Sequence, residues 1–206
     1  VKNISATQFA VFRIAFGSYL VVHFFHLLPF SAELFSRTGA LPDPSVNFTY
    51  GFFPNPLDHF DSPTFATMFV GGLGVLALLF TAGVWRRTIA VSLWFGWACL
   101  FSRNNLISNP GIPYVGLLLI ICAIVPGGEP FTLNKQNKDS SWQMPAMLYW
   151  CAWILLAAGY TYSGYWKILS PSWQDGSAIH HVLTNPLARD WWFNDLLIQM
   201  PNWIIR

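Results

Sequence analysis

Charge is what this sequence has least of. Only 10 % of its 206 residues are Asp, Glu, Lys or Arg, against about 25 % in an ordinary soluble domain. With 54 % hydrophobic residues and a mean hydropathy of +0.42, a soluble fold would have nowhere to put its apolar surface. Lipid is the expected solvent. A net charge of +2 is too small to draw the chain to nucleic acid. Cysteine is scarce as well. Cys99, Cys122 and Cys151 each lie inside an apolar run, which argues against a disulfide framework or a CxxC metal or redox pair. P-loop, GxGxxG, HExxH and GxSxG patterns are missing, as are internal repeats and low-complexity tracts.

Long apolar segments and aromatic rings are what the chain does have. Eighteen Phe, eleven Trp and seven Tyr suit interfacial belts and helix packing. A first segment, Gln8 to Phe30, is about long enough to cross a bilayer at 1.5 Å per residue. It is expected to be retained rather than cleaved as a signal peptide. Glu33 to Asp61 reads as an ordered, proline-rich loop on the membrane surface, because Phe48, Tyr50, Phe52, Phe53 and Phe60 would be costly in water. Further segments follow at Thr64–Trp85, Ile89–Phe101, Pro113–Val125 and Pro145–Ile168. The middle two are shorter than the roughly 20 residues usually needed to span. They must recruit flanking residues or sit where the bilayer is thin.

After Lys167 the chain reads as surface structure. Ser170-Pro171 is a helix start, with a stop before Asn185-Pro186. Arg189 to Met200 fits a second, interfacial helix. The expected fold is therefore an all-α integral membrane protein, a bundle of about five transmembrane helices plus interfacial helices. Placing the N-terminus inside puts Lys2, Arg86, Arg87, Lys135 and Lys138 in cytoplasmic loops, as the distribution of cations requires. Lys167 then lies at the outer face.

Several residues stand out against this background. Arg13 lies roughly 9 Å inside the first helix; it can reach the inner surface or serve a buried polar cluster, and structural pairing is the favoured reading. His23 and His26 share a helix face and are candidate ligands for haem, chlorophyll or a metal, although no third donor is evident. Hydrogen bonding near the outer boundary is the plainer reading. Gly71, Gly72 and Gly74 are candidate packing glycines that let a neighbouring helix approach. Lys167 as a boundary residue would snorkel to water or pair with a carboxylate such as Asp175. Asn47-Phe48-Thr49 forms a glycosylation sequon that is discounted as a chance match.

Four stretches carry a resemblance. FRIAFGSYLVVHF at 12–24, RTGALP at 37–42, NPGIPYVGLLLIICAIVP at 109–126 and YTYSGYWKILSPSWQDGSAI at 160–179 fall in an order that resembles the HTTM family. These are membrane proteins similar to the membrane part of vitamin K-dependent gamma-carboxylase. The likeness covers most of the chain, and its last block is the most specific. It implies a single HTTM-like transmembrane domain over residues 1–206, either shortened or incompletely represented at its C-terminal end. It also implies Lys167 as a candidate base that would deprotonate a reduced quinone. A lysine in a poorly hydrated pocket gives up its charge more readily, which fits that role.

This sequence differs from the carboxylase in three respects. The turn from Asn105 to Gly111 has no histidine, the lumenal substrate domain is absent, and the later helices are missing. Two expectations follow. The favoured one is an accessory or structural subunit of a membrane protein complex, with other membrane subunits as partners. The alternative is a carboxylase-like membrane enzyme using a quinone-type cofactor.

Overall fold

The computed structural model describes residues 4–109, 111–133, 142–185 and 191–200. The fold is all-helical, with no strand among the described residues. Contacts divide the chain into two units, Val1–Trp153 and Ile154–Arg206, where the sequence reading expects one domain.

In the first unit, α1 (Ala6–Leu27) opens on a capping box, in which Ser5 and Gln8 satisfy each other's backbone donors. A 3₁₀ turn at Leu28–Phe30 leads into the short α2 (Ser31–Phe35). A loop holding α3 (Pro56–His59) follows. Then come α4 (Pro63–Thr81), α5 (Arg86–Arg103) and α6 (Ile112–Ile124). Ser62 caps α4 and Pro63 takes its first position, the place where a missing N–H costs nothing.

Successive long helices run antiparallel. Gly74 of α4 lies beside Phe24 and Phe25 near the end of α1, while Gly17 at the middle of α1 meets Thr81 at the end of α4. Arg86 at the start of α5 reaches Val125 just past the end of α6, and Trp97 Nε1 donates to Ile112 O at the start of α6. The core between them is built from Phe16, Leu20, Phe24, Val70, Ala77, Phe80, Leu93 and Leu119.

α7 (Ala146–Leu169) begins in the first unit and ends in the second, where α8 (Pro171–Gln174), α9 (Ala178–Leu183) and α10 (Trp192–Ile198) follow. The single helix expected after Ser170-Pro171 is two, broken at Gly176 with φ +79°. The segment expected over Thr64–Trp85 stops at Thr81. Gly83 at φ +74° and Trp85 at φ +38° turn the chain there.

Two helical stretches are long and apolar enough to cross a membrane, Ala6–Phe35 and Pro63–Thr81. The expected five spans are thus met by length and composition in two. The other three fall short for different reasons. α5 carries Arg86, Arg87 and Arg103, and α6 has 13 residues. α7 has length enough at 24 residues but holds Tyr149, Trp150, Trp153, Tyr160, Tyr162, Tyr165 and Trp166, whose polar edges lower its hydropathy. Only 28 % and 33 % of the most apolar windows of the two qualifying helices are buried. Val22, Phe25, Met68 and Val75 face outward. A core helix of a soluble protein would bury such residues, so these outward faces point to membrane association.

Close helix approach falls at glycines other than the expected ones. A Cβ at Gly17 would overlap Thr81 Oγ1 and lie 3.0 Å from the Thr81 Cα, and one at Gly96 would overlap Leu73. Gly74 and Gly71 make ordinary contact with α1 and Leu28, whereas a Cβ at Gly72 meets nothing within 4 Å. Gly17→Ala is therefore expected to destabilise by about 1–3 kcal/mol through overpacking. Gly72→Ala should be neutral or up to about 1 kcal/mol stabilising from helix propensity. Thermal unfolding of the two variants in detergent, followed by circular dichroism, checks the contrast.

Candidate functional site

Three ionised side chains meet inside the first unit, at the end where α1 and α5 begin and α4 and α6 stop. Glu129 accepts from Arg86 Nε at 2.7 Å and lies 3.7 Å from Arg13 Nε. The side chains of Arg13, Glu129 and Arg86 are 0 %, 2 % and 3 % exposed, so water does not screen them. Burial of this kind is tolerable only with full pairing.

The pairing comes from backbone carbonyls. Arg13 Nη1 donates to Phe80 O at 3.0 Å and to Thr81 O, and its Nη2 donates to Phe131 O at 2.7 Å. Arg86 Nη2 donates to Val125 O at 2.9 Å and Pro126 O at 2.8 Å, and its Nη1 donates to Cys122 O. All of these carbonyls but Phe131 O, which belongs to the loop after α6, lie at the C-terminal ends of α4 and α6, where helices leave acceptors unpaired. Each C-terminus also carries a partial charge of roughly −0.5. Two guanidinium groups, one carboxylate and two helix C-termini sum to about zero. The cluster is neutral without a bound ion.

Local backbone conformation brings the groups together. Trp85 adopts a left-handed conformation at φ +38° immediately before Arg86, and Phe131 does the same at φ +59° while its carbonyl accepts from Arg13. Such residues cost of order 1–3 kcal/mol each and persist where surrounding contacts hold them. Gly83 at φ +74° has no room for a side chain: a Cβ there would lie 2.9 Å from Arg13 Nη1. Leu133 N bonds Ala82 O at 3.0 Å, which pins the Glu129 loop to the end of α4. Arg86 also stacks over Phe9, with Cζ 5.1 Å from the ring centroid.

The favoured reading of Arg13 as a paired residue in a buried polar cluster is what the structure displays. Its partner Glu129 and the role of Arg86 were missed in sequence. A carboxylate just past an apolar helix, in a chain with nine acids in all, was the available signal.

The other candidates lie apart from this cluster. His23 is half-buried among Tyr19, Phe24 and Trp97, with ring centroids at 6.0, 5.6 and 5.0 Å. Its Nε2 is buried with no hydrogen-bond partner among the described residues. His26 is exposed beside Phe30, with centroids 6.2 Å apart. Among the described residues no three His, Cys, Asp or Glu side chains gather as a metal site would require. Lys167 is exposed on the last turn of α7, its Nζ 4.4 Å from the Trp173 ring centroid. That geometry is a cation–π contact.

A second buried arginine marks the opposite end of α5. Arg103 Nη1 donates to Leu41 O at 2.7 Å, and Asn47 Nδ2 donates to Ser102 O and Arg103 O. The sequon asparagine is thus buried, with its amide occupied. Nearby, burial holds the Asp58 carboxyl above the ordinary carboxylate range, against the opposing pull of Arg103 and His59.

No family model, curated protein or solved structure matches the chain.

Glu129→Gln would leave two buried guanidinium groups without their carboxylate and is expected to cost about 3–5 kcal/mol. The exposed pair Arg37–Asp61, at 4.0 Å, serves as a contrast. Arg37→Ala should stay within about 1 kcal/mol. Chemical unfolding of both variants in detergent reads the difference.

Proposed function

We propose that this chain is an HTTM-like, multi-pass integral membrane protein that serves as an accessory or structural subunit of a membrane protein complex. In this reading α1, α4, α5, α6 and α7 each cross the bilayer and the N-terminus faces the cytoplasm. α5 needs no hydropathy of its own at its ends, because Arg86 pairs with Glu129 and Arg103 donates to Leu41 O within the protein. The observation that carries the reading is α7: 24 residues, mostly apolar and aromatic, with none buried. A helix of that kind requires lipid and protein around it.

The ionised residues of the first unit favour a scaffold over a catalyst. Arg13, Arg86 and Glu129 are all engaged in holding α1, α4, α5 and α6 together, which leaves none of them aimed at an open cavity. The groove between α4 and α5, lined by Phe69, Gly72, Leu76, Ser92 and Phe95, suits a transmembrane helix of another subunit. Small residues there permit close contact.

The enzymatic alternative pairs a quinone-type cofactor with Lys167 as base. It draws on a poorly hydrated lysine, whereas Lys167 is exposed within its own unit. His23 and His26 offer a place for haem or a pigment only if a further donor comes from elsewhere.

Purification in mild detergent, with the co-purifying proteins, quinones and pigments identified, tests the choice. A membrane subunit is expected to accompany the chain. Gly72→Leu should abolish that association without unfolding the protein, and Lys167→Ala should leave it intact. A lone monomer with bound quinone and Lys167-dependent turnover would overturn the scaffold reading. Orientation has its own check: single cysteines at positions 138 and 167 should label from opposite sides of sealed vesicles.

A further inference from the structure

The loop between α2 and α4 is rigidly held yet turns its largest apolar side chains outward. Its anchors are polar and buried. Asn47 donates to the carbonyls of Ser102 and Arg103 at 3.0 and 2.9 Å, and Asn55 donates to Cys99 O at 3.1 Å. Arg103 reaches back to Leu41 O at 2.7 Å. Leu57 is fully buried on α3, which packs against α5. Around them, Phe48 is 76 % exposed, Phe52 77 % and Phe60 62 %. Burying a Phe side chain is worth about 1.5–3 kcal/mol, and the clamped backbone prevents these rings from collapsing onto the core.

We propose that Phe48, Phe52 and Phe60 form an interfacial anchor that seats the loop in the headgroup–acyl boundary of the leaflet where α1 ends and α4 begins. This rests on the spanning role of α1 and α4. Two observations select lipid as the occupant. First, Phe60 extends a half-buried aromatic strip on α4 out to the loop: Phe60 lies 5.2 Å from Phe65, and Phe65 lies 6.1 Å from Phe69. Second, the covalent chain holds the loop at the mouth of both helices, at the depth where aromatic rings concentrate.

The charges refine the class of lipid. From Glu33 to Asp61 the segment carries Glu33, Asp43, Asp58 and Asp61 against Arg37. Such a surface repels anionic headgroups and suits a zwitterionic leaflet.

The test uses the full chain in zwitterionic nanodiscs, with Cys151→Ser and one new cysteine carrying an environment-sensitive fluorophore. Cys99 and Cys122 are buried. At Phe52→Cys, emission is expected to be blue-shifted and quenched more by a nitroxide near the lipid headgroup than by one deep in the acyl chain. At Met68→Cys in α4 the deep nitroxide should dominate, and at Ser45→Cys aqueous iodide should. Replacing part of the lipid with phosphatidylglycerol should weaken shallow quenching at position 52. Iodide-only quenching at 52, with 68 still quenched from the acyl region, would overturn the anchor and leave the spanning role standing. Loss of lipid quenching at both positions would overturn both. Stronger quenching at 52 in phosphatidylglycerol would overturn the choice of a zwitterionic leaflet.

Discussion

The first unit depends on an electrostatic balance at one end of its helices. Two arginines would be ruinous in an unhydrated core if left alone. Glu129 cancels one of them, and the carbonyls ending α4 and α6 accept from the rest. The same bonds resolve a separate difficulty, because each helix terminus leaves acceptors that must find donors. One set of contacts thus answers two needs, and it joins α1, α4, α5 and α6 to the loop at Glu129–Leu133. The left-handed residues Trp85 and Phe131 fall at this junction, where the surrounding bonds can hold them in place.

What could be read in advance followed the physics that acts along the chain. Scarcity of charge and the long apolar runs announced helices with outward apolar sides, and α1 and α4 have them. The Ser170-Pro171 pair marked a helix start, and α8 begins there. Arg13 was legible because a lone cation inside an apolar helix has few ways to survive. Glu129 was not, since its polar loop disguised it and its partners lie far away in sequence. The helix α5 was read too short for the same reason. Its terminal arginines look like loop residues until their partners are known.

Glycine illustrates a different limit. Gly71, Gly72 and Gly74 cluster visibly in one apolar helix, yet the tight contacts occur at Gly17 and Gly96, which stand alone in theirs. Whether a glycine is needed depends on what faces it, and the local sequence does not carry that information. Gly72, open on its outer side, is the member of the cluster that remains available to a partner. His23 is similar. Its rings of contact are aromatic neighbours from α1 and α5, which no spacing rule along one helix would reveal.

α5 is fastened at both extremities, by Arg86 to the end of α6 and by Arg103 to the α2–α4 loop. Its 18 residues span about 27 Å at 1.5 Å per residue, slightly less than a hydrocarbon core of about 30 Å. A helix free at its ends answers thickness mismatch by tilting or sliding. This one is riveted, so in a multi-pass arrangement the adjustment passes to the surrounding lipid. The bundle would carry a collar of thinned bilayer with it, and membranes of different thickness would tolerate it unequally.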